Sequence, residues 1–155
     1  YAEFGNKEGL FSAALEHYDK LVVAQVFGPL ESAGANLDDI EELFRAFIEN
    51  AEAASGLGCL MCNTAAELGG RETSLQPRIE RHFDRLSNAF HNALAGAIRT
   101  GQVSPDIDMA TEARFMVASC IGLSILVRGD MSNAAAQVAA HGALGHLALL
   151  RHMPQ

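Results

Sequence analysis

Asn36-Leu37-Asp38-Asp39-Ile40-Glu41-Glu42-Leu43-Phe44-Arg45-Ala46-Phe47-Ile48-Glu49-Asn50-Ala51 settles the fold class. Ile40, Leu43, Phe44, Phe47, Ile48 and Ala51 recur at three- and four-residue spacing, so they share one face of a helix with ~3.6 residues per turn. Asn36 can cap its start. Asp38, Asp39, Glu41 and Glu42 fill the first turns, where the helix dipole favours negative charge.

The same periodicity extends in both directions. Upstream, Leu10, Phe11, Ala14, Leu15, Tyr18, Leu21 and Val22 form a stripe on a helix starting at Lys7, with Asn6 as its cap and Phe27-Gly28-Pro29 as its expected end. Downstream, Ser55-Gly56-Leu57-Gly58 breaks the chain. A short apolar helix is expected from Cys59 to Leu68. A long one follows over 75–99 on Ile79, Phe83, Leu86, Phe90, Leu94 and Ile98, with Gly101 as a C-terminal cap. Asp108 can cap the fifth helix, and Ser132 the sixth, expected over 133–151.

Phe115 to Val127 is apolar except for Ser119 and Ser124. Arg114 and Arg128 bracket only thirteen residues there, a run too short for a bilayer core of ~30 Å, so no membrane partner is expected. A helix apolar all round must be covered on every side. The last helix is crowded with Ala and Gly, which lets a neighbouring helix approach closely. The reading is an all-α, six-helix domain.

Composition agrees. Apolar residues are 49% and charged residues 19% of 155, enough for a packed core. The formal charge of −8, with Lys7 and Lys20 the only lysines, excludes a general phosphate-binding surface. Three cysteines make no disulfide framework, and no signal peptide is visible, so the expected compartment is the reducing cytoplasm. The chain does not begin with Met and reads as part of a longer protein.

The opening run Tyr1-Ala2-Glu3-Phe4-Gly5-Asn6-Lys7-Glu8-Gly9-Leu10-Phe11 resembles the segment that closes the helix-turn-helix of TetR-family repressors. There a Tyr-x-x-Phe pair ends the recognition helix and a Gly-x-Lys-x-x-Leu-Phe run opens the connecting one. Gly58-Cys59-Leu60-Met61, followed by Asn63-Thr64-Ala65-Ala66-Glu67, resembles a segment of one branch of that family. Ala2 and Glu3 depart from it, standing where the family often has an aromatic and a His or another polar residue.

The resemblance implies that residues 1–6 are the remnant of a DNA-binding domain and 7–155 an effector-binding and dimerising domain. It implies a homodimeric repressor that leaves its operator when a small molecule enters the helical core. Tyr1 and Lys7 match positions that touch DNA phosphates. Operator DNA would be read through N-terminal helices absent from this sequence. No cofactor is implied.

The implied pocket draws on Phe44, Phe47, Ile48, Met61, Cys62, His82, Phe83, Phe90, Phe115, Met116 and Ser119, and an apolar or aromatic effector suits such walls. Each of these residues also fits plain core packing. The implied dimer interface takes Ile121, Leu123 and Ile125 from one helix and Ala135, Val138, Ala139, Gly142 and His146 from the next.

Cys59 and Cys62 form a Cys-x-x-Cys, but no second pair completes a zinc site, and the histidines are scattered. Two readings of Cys59 stand open. A free Cys is commonly a small buried hydrophobe. Near a helix N-terminus it can instead become a thiolate that senses electrophiles or oxidants. Asn63 is neutral, so the local sequence offers no cation for a thiolate.

An enzyme is the weaker alternative, because a di-iron bundle needs Glu-x-x-His pairs and none occurs. A helical dimerisation module without ligand shares the fold and differs only in lacking a pocket.

Overall fold

The computed structural model describes residues 3–51, 53, 56–68, 74–129 and 133–152. Tyr1 and the expected cap Ser132 lie outside them. In chain order the elements are α1 (Lys7–Tyr18), a π-helical turn (Asp19–Val23), α2 (Ala24–Glu31), α3 (Leu37–Asn50), α4 (Leu60–Leu68), α5 (Gln76–Arg99), α6 (Met109–Arg128) and α7 (Asn133–His152). The first three run on without a break, so the expected six helical segments are present. No strand occurs among the described residues.

Local chemistry sets the ends. Asn6 accepts from the Gly9 amide at 2.8 Å and Asp108 from that of Thr111 at 3.1 Å. Asn36 and Asp39 form a reciprocal box: the Asn36 side chain accepts from the Asp38 amide at 2.8 Å, and Asp39 accepts from the Asn36 amide at 2.9 Å. Gly101, at φ 71°, ends α5. Its amide bonds Ile98 O and that of Gln102 bonds Ala97 O, the paired return that satisfies the last carbonyls.

One boundary differs from the sequence reading. Phe27-Gly28-Pro29 does not end the first helix, which continues to Glu31. Proline removes one amide bond, but Phe27 and Leu30 are buried, and Asn92 of α5 donates to the carbonyls of Leu30 and Ser32, both at 2.8 Å. α6 starts after its Asp108 cap as expected and spans 20 residues, longer than its thirteen-residue apolar run; by length and composition it is apolar enough to cross a membrane. It packs instead against α5 and α7 through Ala113, Met116, Val117, Cys120, Leu123, Ser124 and Val127.

α5 is the central post, touching α2, α3, α4 and α6, while α7 closes over α3 and α6. Phe90 stands at the middle, edge-on to Phe27 with centroids 6.0 Å apart and stacked on Phe44 at 6.5 Å. A smaller cluster of Leu15, Met61, Leu75 and Ile79 fills the space between α1, α4 and α5.

Candidate functional site

A cavity of about 460 Å³ lies between the π-turn with α2 on one side and α3, α5 and α6 on the others, with Cys59 and Cys62 at one end. Its wall is mainly apolar: Val22, Val26, Phe27, Leu43, Phe47, Leu86, Ile121 and Val127 line it. Tyr18, Cys59, Cys62, His82 and Ser124 supply a polar corner, and Gln25 and Asn50 also line the cavity.

The loop before α4 fixes that corner. Gly58 has φ 61°, and a Cβ there would collide with the Ser124 carbonyl and the Arg128 side chain of α6. The Gly56 amide donates to Val127 O at 2.9 Å, and Arg128 pairs with Glu67 at 2.7 Å. Cys59, whose carbonyl accepts from the Asn63 amide at 2.9 Å, is therefore clamped at the start of α4.

Cys59 is held well below the ordinary thiol range, first by a hydrogen bond from Cys62 and then by His82 and Tyr18, against the opposing effect of burial. Cys62 is pushed up by the same bond and by burial. Burial chiefly, and then Cys59, raise Tyr18, which stays a phenol donor. Burial pushes Cys120 up, so it is an inert thiol. For His82, burial works against charge, but Cys59 and Asp19 outweigh it and the imidazole ends above its usual value. Its Nδ1 lies 2.7 Å from Asp19 Oδ1. Its Nε2 finds no hydrogen-bond partner among the described residues, so the approach to Cys59 is looser than a formed bond. These groups can hold a thiolate beside an imidazolium at the wall of an apolar cavity.

Of the expected pocket residues, Phe47, Cys62 and His82 line the cavity, and Cys59 joins them. Phe44, Phe90, Met61 and Met116 do not; each is fully buried in the core, because the large rings and thioether fill the space around α5. Ile48 and Phe83 pack half-buried against that core. Ser119 does not line it and turns its hydroxyl to the Phe115 carbonyl at 2.9 Å. Phe115 is 44% exposed, with its ring 4.8 Å from that of His146.

Of the α6 residues expected at the dimer interface, Ile121 lines the cavity and Leu123 is buried in the chain's own core. The expected Ile125 lies on the outward face of α6, with Phe115 and Gly122. On α7, Val138, Ala139 and Gly142 are exposed, Ala135 is half-buried, and His146 bonds Glu112 at 2.7 Å. Lys7 is exposed at the first residue of α1. Sequence reasoning missed Tyr18 and Asp19 as site residues. Tyr18 reads as one more member of the α1 stripe, and nothing local marks the π-turn whose first residue, Asp19, meets His82.

Comparison with known proteins follows the same architecture. Residues 35–143 match the family described as tetracyclin repressor-like, C-terminal domain. ComR of Escherichia coli K12, an HTH-type transcriptional repressor, is 28% identical over 138 residues, covering 85% of this chain and 64% of that protein. The nucleoid occlusion factor SlmA of Haemophilus influenzae Rd is 25% identical over 123 residues, covering 79% of this chain and 55% of SlmA. The chain thus spans a little over half the length of these curated relatives.

A cysteine mutant of the TetR-family regulator CifR, solved with 26-base-pair operator DNA, superposes with a TM-score of 0.78 at 25% identity, over 99% of this chain and 78% of that one. A TetR regulator from Chloroflexus aurantiacus shares the fold at a TM-score of 0.76 and 24% identity, over 96% and 74% of the two chains. A family domain matched over most of this chain, on the expected helices, shows that the chain belongs to the TetR family of transcriptional regulators.

Proposed function

We propose that this chain is the effector-sensing and dimerising part of a ligand-responsive repressor, in which occupation of the cavity releases operator DNA. The observation that carries the reading is the cavity itself. Its ~460 Å³ falls in the ~300–1,000 Å³ range of small-molecule sites, and its mainly apolar walls with a few polar groups suit an apolar or aromatic effector. The reactive form of Cys59 at that corner adds a covalent route for mild electrophiles.

Residues 1–6 are read as the end of the helix-turn-helix, with Tyr1 and Lys7 on DNA phosphates. CifR, in operator DNA, supports the DNA partner. The outward apolar faces of α6 and α7 support a homodimer acting in the cytoplasm beside the DNA. By linkage, the effector must bind the DNA-free state more tightly than the DNA-bound one. Movement of α1, which leads from the cavity wall to Lys7, is the proposed route.

The test is thermal melting and intact-mass analysis of the complete chain across apolar compounds and mild electrophiles. An adduct at Cys59, lost in Cys59→Ser, supports the covalent route; a raised melting temperature without adduct supports a reversible effector. Neither response would leave the ligand-free dimerisation module as the better reading.

A further inference from the structure

His82 is only 2% exposed, yet one ring nitrogen is unpartnered. Buried polar atoms are rarely left so. Nδ1 is committed to Asp19, 2.7 Å away, which leaves Nε2 toward the corner holding Cys59. A carboxylate behind an imidazole fixes which nitrogen carries the proton and how the ring is turned.

Asp19 is itself held through its backbone. Arg85 donates to its carbonyl at 3.0 Å, and the same guanidinium grips Glu31 at 2.6 and 2.9 Å. Asp19 is also the first residue of the π-turn. A regular helix through this segment lacks the extra residue and would swing Asp19 by ~100° about the axis, away from His82. The π-turn therefore serves the Asp19–His82 contact.

We propose that Asp19 is a positioning residue: it aims His82 at Cys59, so that His82 takes the thiol proton and returns it to an α,β-unsaturated carbonyl compound that the sulfur has attacked. The inference rests on the covalent route proposed above. Cys59 passes its proton to Nε2. The sulfur lone pair forms the bond to the β-carbon, and the C=C pair moves toward the carbonyl. The α-carbon then takes the proton from the imidazolium. The sum is addition of S–H across C=C, with His82 neutral again and no oxidant or co-reactant needed.

Addition suits this site better than displacement, because the product needs a proton and His82 is placed to give one. The titratable groups facing Cys59 are Tyr18, Cys62, His82 and Cys120, with Asp19 and Arg85 behind His82.

The experiment is the rate of Cys59 modification by N-ethylmaleimide against pH, read by intact mass and peptide mapping on the complete chain. In the wild type the rate should hold well below the ~8.5 of a free thiol. Asp19→Asn should move the inflection up by at least ~1 pH unit, roughly tenfold in rate at a pH below both inflections, and Asp19→Glu should restore most of it. A purely structural role would lower the melting temperature without moving the inflection. If Asp19→Asn does not fold, His82→Gln read the same way decides the matter. Cys59 reacting with an unmoved inflection overturns the role of Asp19 and leaves the covalent route standing. A wild-type Cys59 that does not react overturns both.

Discussion

Cys59 and Cys62 sit three residues apart, yet their surroundings drive them in opposite directions. Cys59 is favoured as a thiolate by Cys62 first and then by His82 and Tyr18, while Cys62 must keep its proton to donate to it. Only one of the two can be the nucleophile, so Cys59→Ser should abolish the adduct and Cys62→Ser should keep it.

The pairing also bears on stability, and the signs can be followed group by group. A raised His82 stabilises fully below ~6.5 and loses that contribution as pH climbs through its folded value; a depressed Cys59 stabilises fully above ~8.5 and loses it as pH falls. From ~6.5 up to the folded value of His82 the two slopes oppose each other. The melting temperature of wild type minus that of His82→Gln should therefore flatten over that window and decline as pH falls below it. A difference that falls steadily across the window would deny the Cys59 half of the pair.

At the scale of elements, Gly96 sets how close α5 comes to the turn before α3. A Cβ there would strike the carbonyl of Ala35, which is backbone in a capped turn and has little room to yield. Ala would gain up to ~1 kcal/mol in helix propensity, yet the collision should win. Gly96→Ala is expected to destabilise by about 1–3 kcal/mol, measured as a drop in the denaturation midpoint at unchanged slope. An unchanged or higher midpoint would show that the turn moves aside. The polar clasp around the first helix is a separate support: Asn92 caps α2, and Arg85 ties its last residue, Glu31, to α5.

For the whole molecule, the question is what covers α6 and α7. Phe115, Ile125, Val138 and Leu149 are large apolar side chains left exposed, and Gly142 has open space where a side chain would stand. That surface fits the proposed two-fold interface, which would hold two DNA readers for half-sites ~34–36 Å apart. Gly142→Leu puts a branched side chain where the partner helix would need to approach. Sedimentation at low micromolar concentration should shift from dimer toward monomer, with the helical content unchanged. A variant that remains dimeric there would place the interface on another face.

Caps and periodicity are local, and for that reason the sequence alone determined the helices. Asn6, Asn36 and Asp108 need only amides two or three residues away, and Gly101 needs only its positive φ. Which apolar residue faces a void and which fills the core is different, since Phe44 and Phe47 stand on neighbouring faces of one helix. Only packing against α5 sent Phe44 inward to Phe90 and left Phe47 on the cavity. Cys59 shows the same limit most clearly. Its own stretch offers neutral Asn63 and no cation, and the partner it needs is His82, 23 positions along the chain, aimed by Asp19, 40 positions back. Electrostatic partnership decays within a few ångströms in space, and the fold alone decides which distant residues share that space.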